Sequence, residues 1–362
     1  MKKQFRTHLC VMISLLLLVL LCFAACDGAS DGEDTTAEIT AGVTLTEETV
    51  GDGVTEYETL PETTEGDVTE TETVADTYLT TEEESKGDET TMTQTTESVP
   101  AETTIPEAGQ NSGIVRDGTP KKYFTLSFDD GITQDIRIIE ILKKYGMHCA
   151  TFNINTGLLG ANWEWVGKNH NRPDVPHLRF TKEELMTGIY DGFDVEVHTM
   201  NHPSLKIYDE NVAKLKREIM GDAANIREIT GINPVGMAWP GGDTEYTEKT
   251  IELVREHTSI RFARATTTTN TFTLPDYFLK WKPTCSITNG KLLDLARQFV
   301  EAEADEDMLF FVWGHGYEFD FYDLYDDFEE LVKMMSEAED VVCVTNAEFY
   351  QLFKDEIPSW KE

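Results

Sequence analysis

Two adjacent carboxylates, Asp129 and Asp130, and two imidazoles with three residues between them, His198 and His202, are the side chains of this sequence best placed to do chemistry. The acids end a hydrophobic run in Phe128-Asp129-Asp130-Gly131. Neighbouring side chains of an extended segment point to different sides, so one acid can face a cation while the other faces a water. In His198-Thr199-Met200-Asn201-His202, followed by Pro203, a single turn can bring both rings to one ion. An Asp with two His forms a three-donor face that leaves positions for water and a substrate oxygen. That set suits Zn²⁺ and also fits Co²⁺, Ni²⁺ or Mn²⁺. The second carboxylate can then take a proton, and His315, in Trp313-Gly314-His315-Gly316, can return one to a leaving group. Metal-assisted hydrolysis follows from these residue types. The sequence has no G-x-S-x-G elbow for a serine nucleophile and no Gly-rich phosphate loop.

Groups so distant in sequence need a framework to bring them together. Apolar runs at 123–128, 148–154, 193–197, 234–238, 260–263, 308–313 and 341–344 read as buried strands. Helical stripes lie between them at 135–145, 182–190, 211–230, 246–256, 291–303, 325–335 and 347–353, with Gly231 as a stop for the third. Strands alternating with helices predict an α/β domain over 116–362, a TIM-like parallel barrel of about seven strands. The candidate residues follow predicted strands and so converge on the C-terminal rim, where barrel enzymes hold their chemistry. An insertion at 155–180 carries Trp163, Trp165, His170 and His177. Its aromatic rings can form one wall of a sugar cleft or simply pack the loop. Cys149 and Cys343 sit in apolar runs and read as small buried hydrophobes, and no disulfide framework is expected.

The N-terminus reads as a targeting signal. Lys2, Lys3 and Arg6 precede an apolar stretch that ends in Phe23-Ala24-Ala25-Cys26. Small residues before a Cys resemble a bacterial lipobox. Residues 1–25 are thus expected to be a lipoprotein signal peptide, with Cys26 lipidated and the mature chain tethered by lipid alone to the extracellular face of the cell membrane. Residues 26–115 are Thr- and Glu-rich without hydrophobic period, and read as a disordered stalk. The chain has 67 acidic and 30 basic residues, a net charge of −37, and 24 of the acids fall in that stalk. Such a surface argues against nucleic acid and against electrostatic docking on anionic lipid. It is compatible with a neutral or partly cationic polymer, and no protein partner can be inferred.

At these residues the chain resembles the polysaccharide deacetylase family, the NodB-homology domain. The family's T-F-D-D-G motif is matched by Ser127-Phe128-Asp129-Asp130-Gly131, and its H-[ST]-x-x-H motif by His198 to His202. The resemblance spans about 123–344. It implies a distorted (β/α) barrel that hydrolyses acetyl groups on glycans, with Asp129 as base and Asp130, His198 and His202 as metal ligands. The third motif, R-x-P-Y, is replaced by Ala238-Trp239-Pro240-Gly241. Gly241, with Pro240 and Trp239, is then the candidate oxyanion or substrate segment, and the missing arginine must come from elsewhere. Arg264, at another predicted strand end, is the candidate partner of Asp129. His315 matches the family's acid, and Glu318 is a candidate to orient it. Asp276 and Trp281 lie where the usual orienting pair would be but lack its spacing. The expected substrate is an acetylated polysaccharide with N-acetylglucosamine or N-acetylmuramic acid units. The alternatives are an O-acetyl esterase on xylan-like polymers and a carbohydrate-binding protein with a degraded site.

Overall fold

A computed structural model describes residues 107–109 and 113–361. The expected signal peptide, Cys26 and nearly all of the expected stalk lie outside the described residues.

Eight parallel strands form one sheet curled into a half-barrel: β1 (Lys122–Asp130), β2 (Ala150–Ile154), β3 (Asp194–Val197), β4 (Gly236–Ala238), β5 (Phe262–Arg264), β6 (Cys285–Ser286), β7 (Met308–His315) and β8 (Val341–Cys343). The order is β5-β4-β3-β2-β1-β7-β6, with β8 on the start of β1. Seven of these are the predicted strands. The two-residue β6 is too short to carry a period. Its segment nevertheless links the two edges of the curl. The Trp281 N–H donates to Ala263 O at 2.9 Å, and the Ile287 N–H donates to Trp313 O at 2.7 Å.

Nine helices among the described residues cover the sheet: α1 (Asp135–Lys144), α2 (Glu164–Asn169), α3 (Lys182–Leu185), α4 (Val212–Thr230), α5 (Glu248–His257), α6 (Leu292–Glu301), α7 (Gly316–Tyr322), α8 (Tyr325–Glu337) and α9 (Asn346–Phe353). α4 ends at Gly231, whose φ of 76° suits the residue without a Cβ. α2 and α7 were not legible as helices, because each is under two turns.

Strand alternation divides the interior. Phe124, Leu126 and Phe128 of β1, with Phe310 and Val312 of β7, pack outward against helices. Tyr123, Leu309, Phe311 and Phe262 point into the curl, where Phe349 and Phe353 of α9 join them at the base. Further up, the inward positions turn polar. The Asn346 side chain donates to Thr125 Oγ1 at 2.9 Å, and the Asn153 side chain to Ser127 Oγ at 2.9 Å. Trp281 lies in the lower, apolar layer with Phe262, Phe278 and Phe349. It therefore has no role in orienting His315. Asp276 is exposed.

Candidate active site

The inward polar column ends at the C-terminal rim. Asp129 is the last inward residue of β1, in register with His315 of β7. Its Oδ1 accepts from Asn153 Nδ2 at 3.0 Å, and its Oδ2 accepts from Arg264 Nη2. Arg264 ends β5, is 1% exposed, and lies over the Trp313 ring at 4.4 Å. Arg264, on the next strand, thus sets a guanidinium on Asp129, where the 238–241 segment has none. Burial alone would raise the Asp129 carboxyl. Arg264, then His198 and His315, more than offset this and hold it below the usual carboxylate range.

Asp130 turns away from its neighbour because its φ is 80°, and Gly131 follows at 63°. A Cβ on Gly131 would come within 2.8 Å of Ile154 Cγ2, so this tight turn requires glycine. The turn sets Asp130 beside the two histidines. One donor atom from each of Asp130, His198 and His202 lies within 4.8 Å of the others. Two more residues here, Thr199 (φ 67°) and His202 (φ 54°), are left-handed. Side chains with a Cβ rarely adopt that region without being held. Thr199 Oγ1 accepts the His202 N–H at 3.1 Å, and two acids on the buried face of α4 hold the rest. Glu218 accepts Asn201 N and Nδ2, both at 3.0 Å, while Asp222 accepts His198 N at 3.1 Å and Thr156 N at 2.8 Å.

The donors fit a divalent cation. His198 Nδ1 donates to Ala238 O at 3.0 Å, which leaves the Nε2 lone pair facing Asp130, and that buried atom has no hydrogen-bond partner. Burial keeps both rings neutral. His198 is lowered, and His202 is lowered to about 3 with help from His198. Neutral imidazole is the ligating form.

Residues 116–259 match the model of the family described as polysaccharide deacetylase. Among solved structures, the chain is similar to BC0361, a polysaccharide deacetylase from Bacillus cereus, with 21% identity over 44% of this chain and 45% of that one and a TM-score of 0.32. It spans under half of that protein's length. It is similar also to peptidoglycan deacetylase PdaC from Bacillus subtilis, at 19% identity, 65% and 93% coverage and a TM-score of 0.39. The third is a family 4 carbohydrate esterase from Streptomyces lividans, at 13% identity, 61% and 91% coverage and a TM-score of 0.37. No curated protein matches the sequence.

His315, which lies beyond the matched segment, closes the site from β7. Its Nε2 is 3.9 Å from Asp129 Oδ2, and its Nδ1 is 3.6 Å from Glu318 Oε2. That second separation is an ion-pair distance rather than a hydrogen bond; the same Glu318 oxygen accepts the His315 backbone N–H at 2.8 Å. Burial pulls His315 down, but Glu318, Asp129 and Asp130 outweigh it and raise the ring to about 9. Glu318 is thus the charge nearest the His315 ring.

One expectation needs correction. Trp239 is 1% exposed; its ring stacks on Tyr246 at 4.2 Å and its Nε1 donates to Leu279 O at 3.1 Å, so its side chain cannot meet substrate. Of this segment, Gly241 is partly exposed, in the left-handed region at φ 71°, next to buried Pro240. Trp163, for which cleft wall and packing were both open, is partly exposed and packs within the loop: Arg179 lies over its ring at 3.9 Å, and it stacks on His177 at 5.6 Å. Trp165 stays exposed.

Sequence reasoning missed His177 and Arg179, which both bond Asp130, and also Glu218 and Asp222. The helix did carry a signal: these last two acids lie one turn apart among Leu215, Ile219 and Ile226, on the stripe that should be apolar.

Proposed function

We propose that this domain hydrolyses acetyl groups on polysaccharide, with N-acetyl amides of N-acetylglucosamine or N-acetylmuramic acid units as first substrates. The observation that carries the reading is one constellation. The Asp130, His198 and His202 donors converge around an unpartnered His198 Nε2, beside an Asp129 held by Arg264 and faced by His315. When bound by Asp130, His198 and His202, a divalent ion such as Zn²⁺ would polarise the acetyl carbonyl and acidify water at the site. Asp129, kept ionised by Arg264, takes the proton of the attacking water at Oδ2. His315, protonated at neutral pH, gives its Nε2 proton to the departing amine. The Gly241 N–H is the candidate donor to the oxyanion. The presence of Arg264 on Asp129 removes the main reason for reading the site as degraded.

Residues 1–25 and Cys26 are proposed to carry this domain to the outer face of the cell membrane on its Thr- and Glu-rich linker. Cys26→Ala should release it into the medium; retention would refute the anchor. For the reaction, acetate release is measured on N-acetylated chito-oligosaccharide and on acetyl-xylan, with Asp129→Asn and a chelated sample beside the wild type. Release from the first substrate, lost in both controls, supports the proposal. Release from acetyl-xylan alone would replace the amide by the ester, and no release with either would refute it.

A further inference from the structure

Asp130 is held by a closed ring of hydrogen bonds that comes entirely from the 155–180 insertion. His177 Nε2 bonds Asp130 Oδ2 at 2.9 Å, and Arg179 Nη2 donates to Asp130 Oδ1 at 3.0 Å. Arg179 Nη1 closes the ring on His177 Nδ1 at 3.4 Å. A guanidinium can only donate, so Nδ1 is the acceptor and the His177 proton sits on Nε2, aimed at Asp130. Both residues are 1% exposed, and Trp163 packs on both. Tyr317 of α7 meets the His177 ring at 5.2 Å.

Arg179 also reaches the other ligands. Its Nη2 donates to Asn155 Oδ1 at 3.3 Å, and Asn155 Nδ2 donates to His198 O at 2.6 Å and Thr199 O at 3.0 Å. One chain of contacts therefore joins the Asp130 carboxylate from β1 to the backbone of the His198–His202 turn after β3. Asp130 Oδ1, the oxygen 3.9 Å from His198 Nε2, keeps a second lone pair for a cation.

We propose that His177 and Arg179 are positioning residues for cation binding: they fix the plane of the Asp130 carboxylate and its register with the two histidines before any ion arrives. The proposal rests on the reading of Asp130, His198 and His202 as a metal site. Outer partners of this kind are worth about 10- to 100-fold in metal affinity.

The test is Zn²⁺ titration of the chelator-stripped protein by calorimetry, with the visible spectrum of the Co²⁺ form as a second readout. His177→Phe keeps a ring between Trp163 and Tyr317 and removes the donor. His177→Gln restores an N–H near the place of Nε2. Arg179→Lys keeps the charge and loses the fork to Asn155 and His177, so it tests the same ring through another residue. The expected result is about 10- to 100-fold weaker Zn²⁺ binding in His177→Phe and Arg179→Lys, with an altered Co²⁺ spectrum, and near wild-type binding in His177→Gln. Wild-type affinity and spectrum in both weakened variants, with the wild type binding Zn²⁺, would overturn the proposal and leave the metal site standing. Absence of Zn²⁺ binding by the wild type would overturn the metal site itself, and the proposal with it.

Discussion

Arg264→Met isolates the charge that the third motif no longer supplies. Arg264 and Asp129 are both buried, and the guanidinium is the strongest of the influences holding Asp129 below the carboxylate range against burial. With charge centres about 4 Å apart and an effective dielectric of about 20, the pair is worth about 4 kcal/mol. Converted at 1.36 kcal/mol per unit, that moves the acid limb of activity upward by about two to three pH units. The assay is kcat/KM for acetate release between pH 5 and 9, with Zn²⁺ affinity measured on the same samples. The loss should be largest at pH 5, about 10- to 60-fold, should be under about tenfold at pH 6, and should vanish toward pH 8.5, where a carboxyl without its partner is ionised again. Arg264→Lys should recover part of the loss, and metal affinity should not fall. An unchanged pH profile, or a loss of the same size at every pH, would refute Arg264 as the group that keeps Asp129 ionised.

Three further outcomes follow from the geometry. Glu318→Gln removes the charge nearest the His315 ring while leaving an oxygen for the His315 N–H; the alkaline limb, expected near the raised value of about 9, should move down by about one unit, and an unmoved limb would exclude Glu318. Asp135 is raised to about 8 by burial, with its Oδ2 accepting from Tyr190 at 2.7 Å. The folded state therefore binds more protons than the unfolded state between pH 3.8 and about 8, and stability is lost as pH rises through that window, by about 1.4 kcal/mol per unit at most. Asp135→Asn should flatten that slope in urea unfolding, and an equal slope in both proteins would refute the assignment. Asp222→Ala leaves the buried Thr156 N–H without its acceptor, at about 1–3 kcal/mol, and leaves the His198 N–H only Ile154 O. A lower melting temperature together with weaker Zn²⁺ binding is expected, and an unchanged melting temperature would contradict it.

What the sequence determined by itself was the pattern of strands and helices, and with it the side chains that share a rim. Asp129, Asp130, His198, His202, Arg264 and His315 were legible because each follows an apolar run, and parallel strands carry their C-terminal ends to one side. Arg264 was found by that rule alone, since no motif marks it. The tertiary structure decided the rest, for two physical reasons. Contacts between segments distant in the chain leave no local period, so nothing around His177 and Arg179 announces that both close on Asp130, some 47 and 49 residues away. The direction of a side chain at a strand end depends on single backbone angles: the φ of 80° at Asp130 separates it from Asp129, and the stacking of Trp239 on Tyr246 takes its ring out of the site. Periodicity fixes which residues reach the rim. Long-range hydrogen bonds and a few left-handed residues fix which of them face one another.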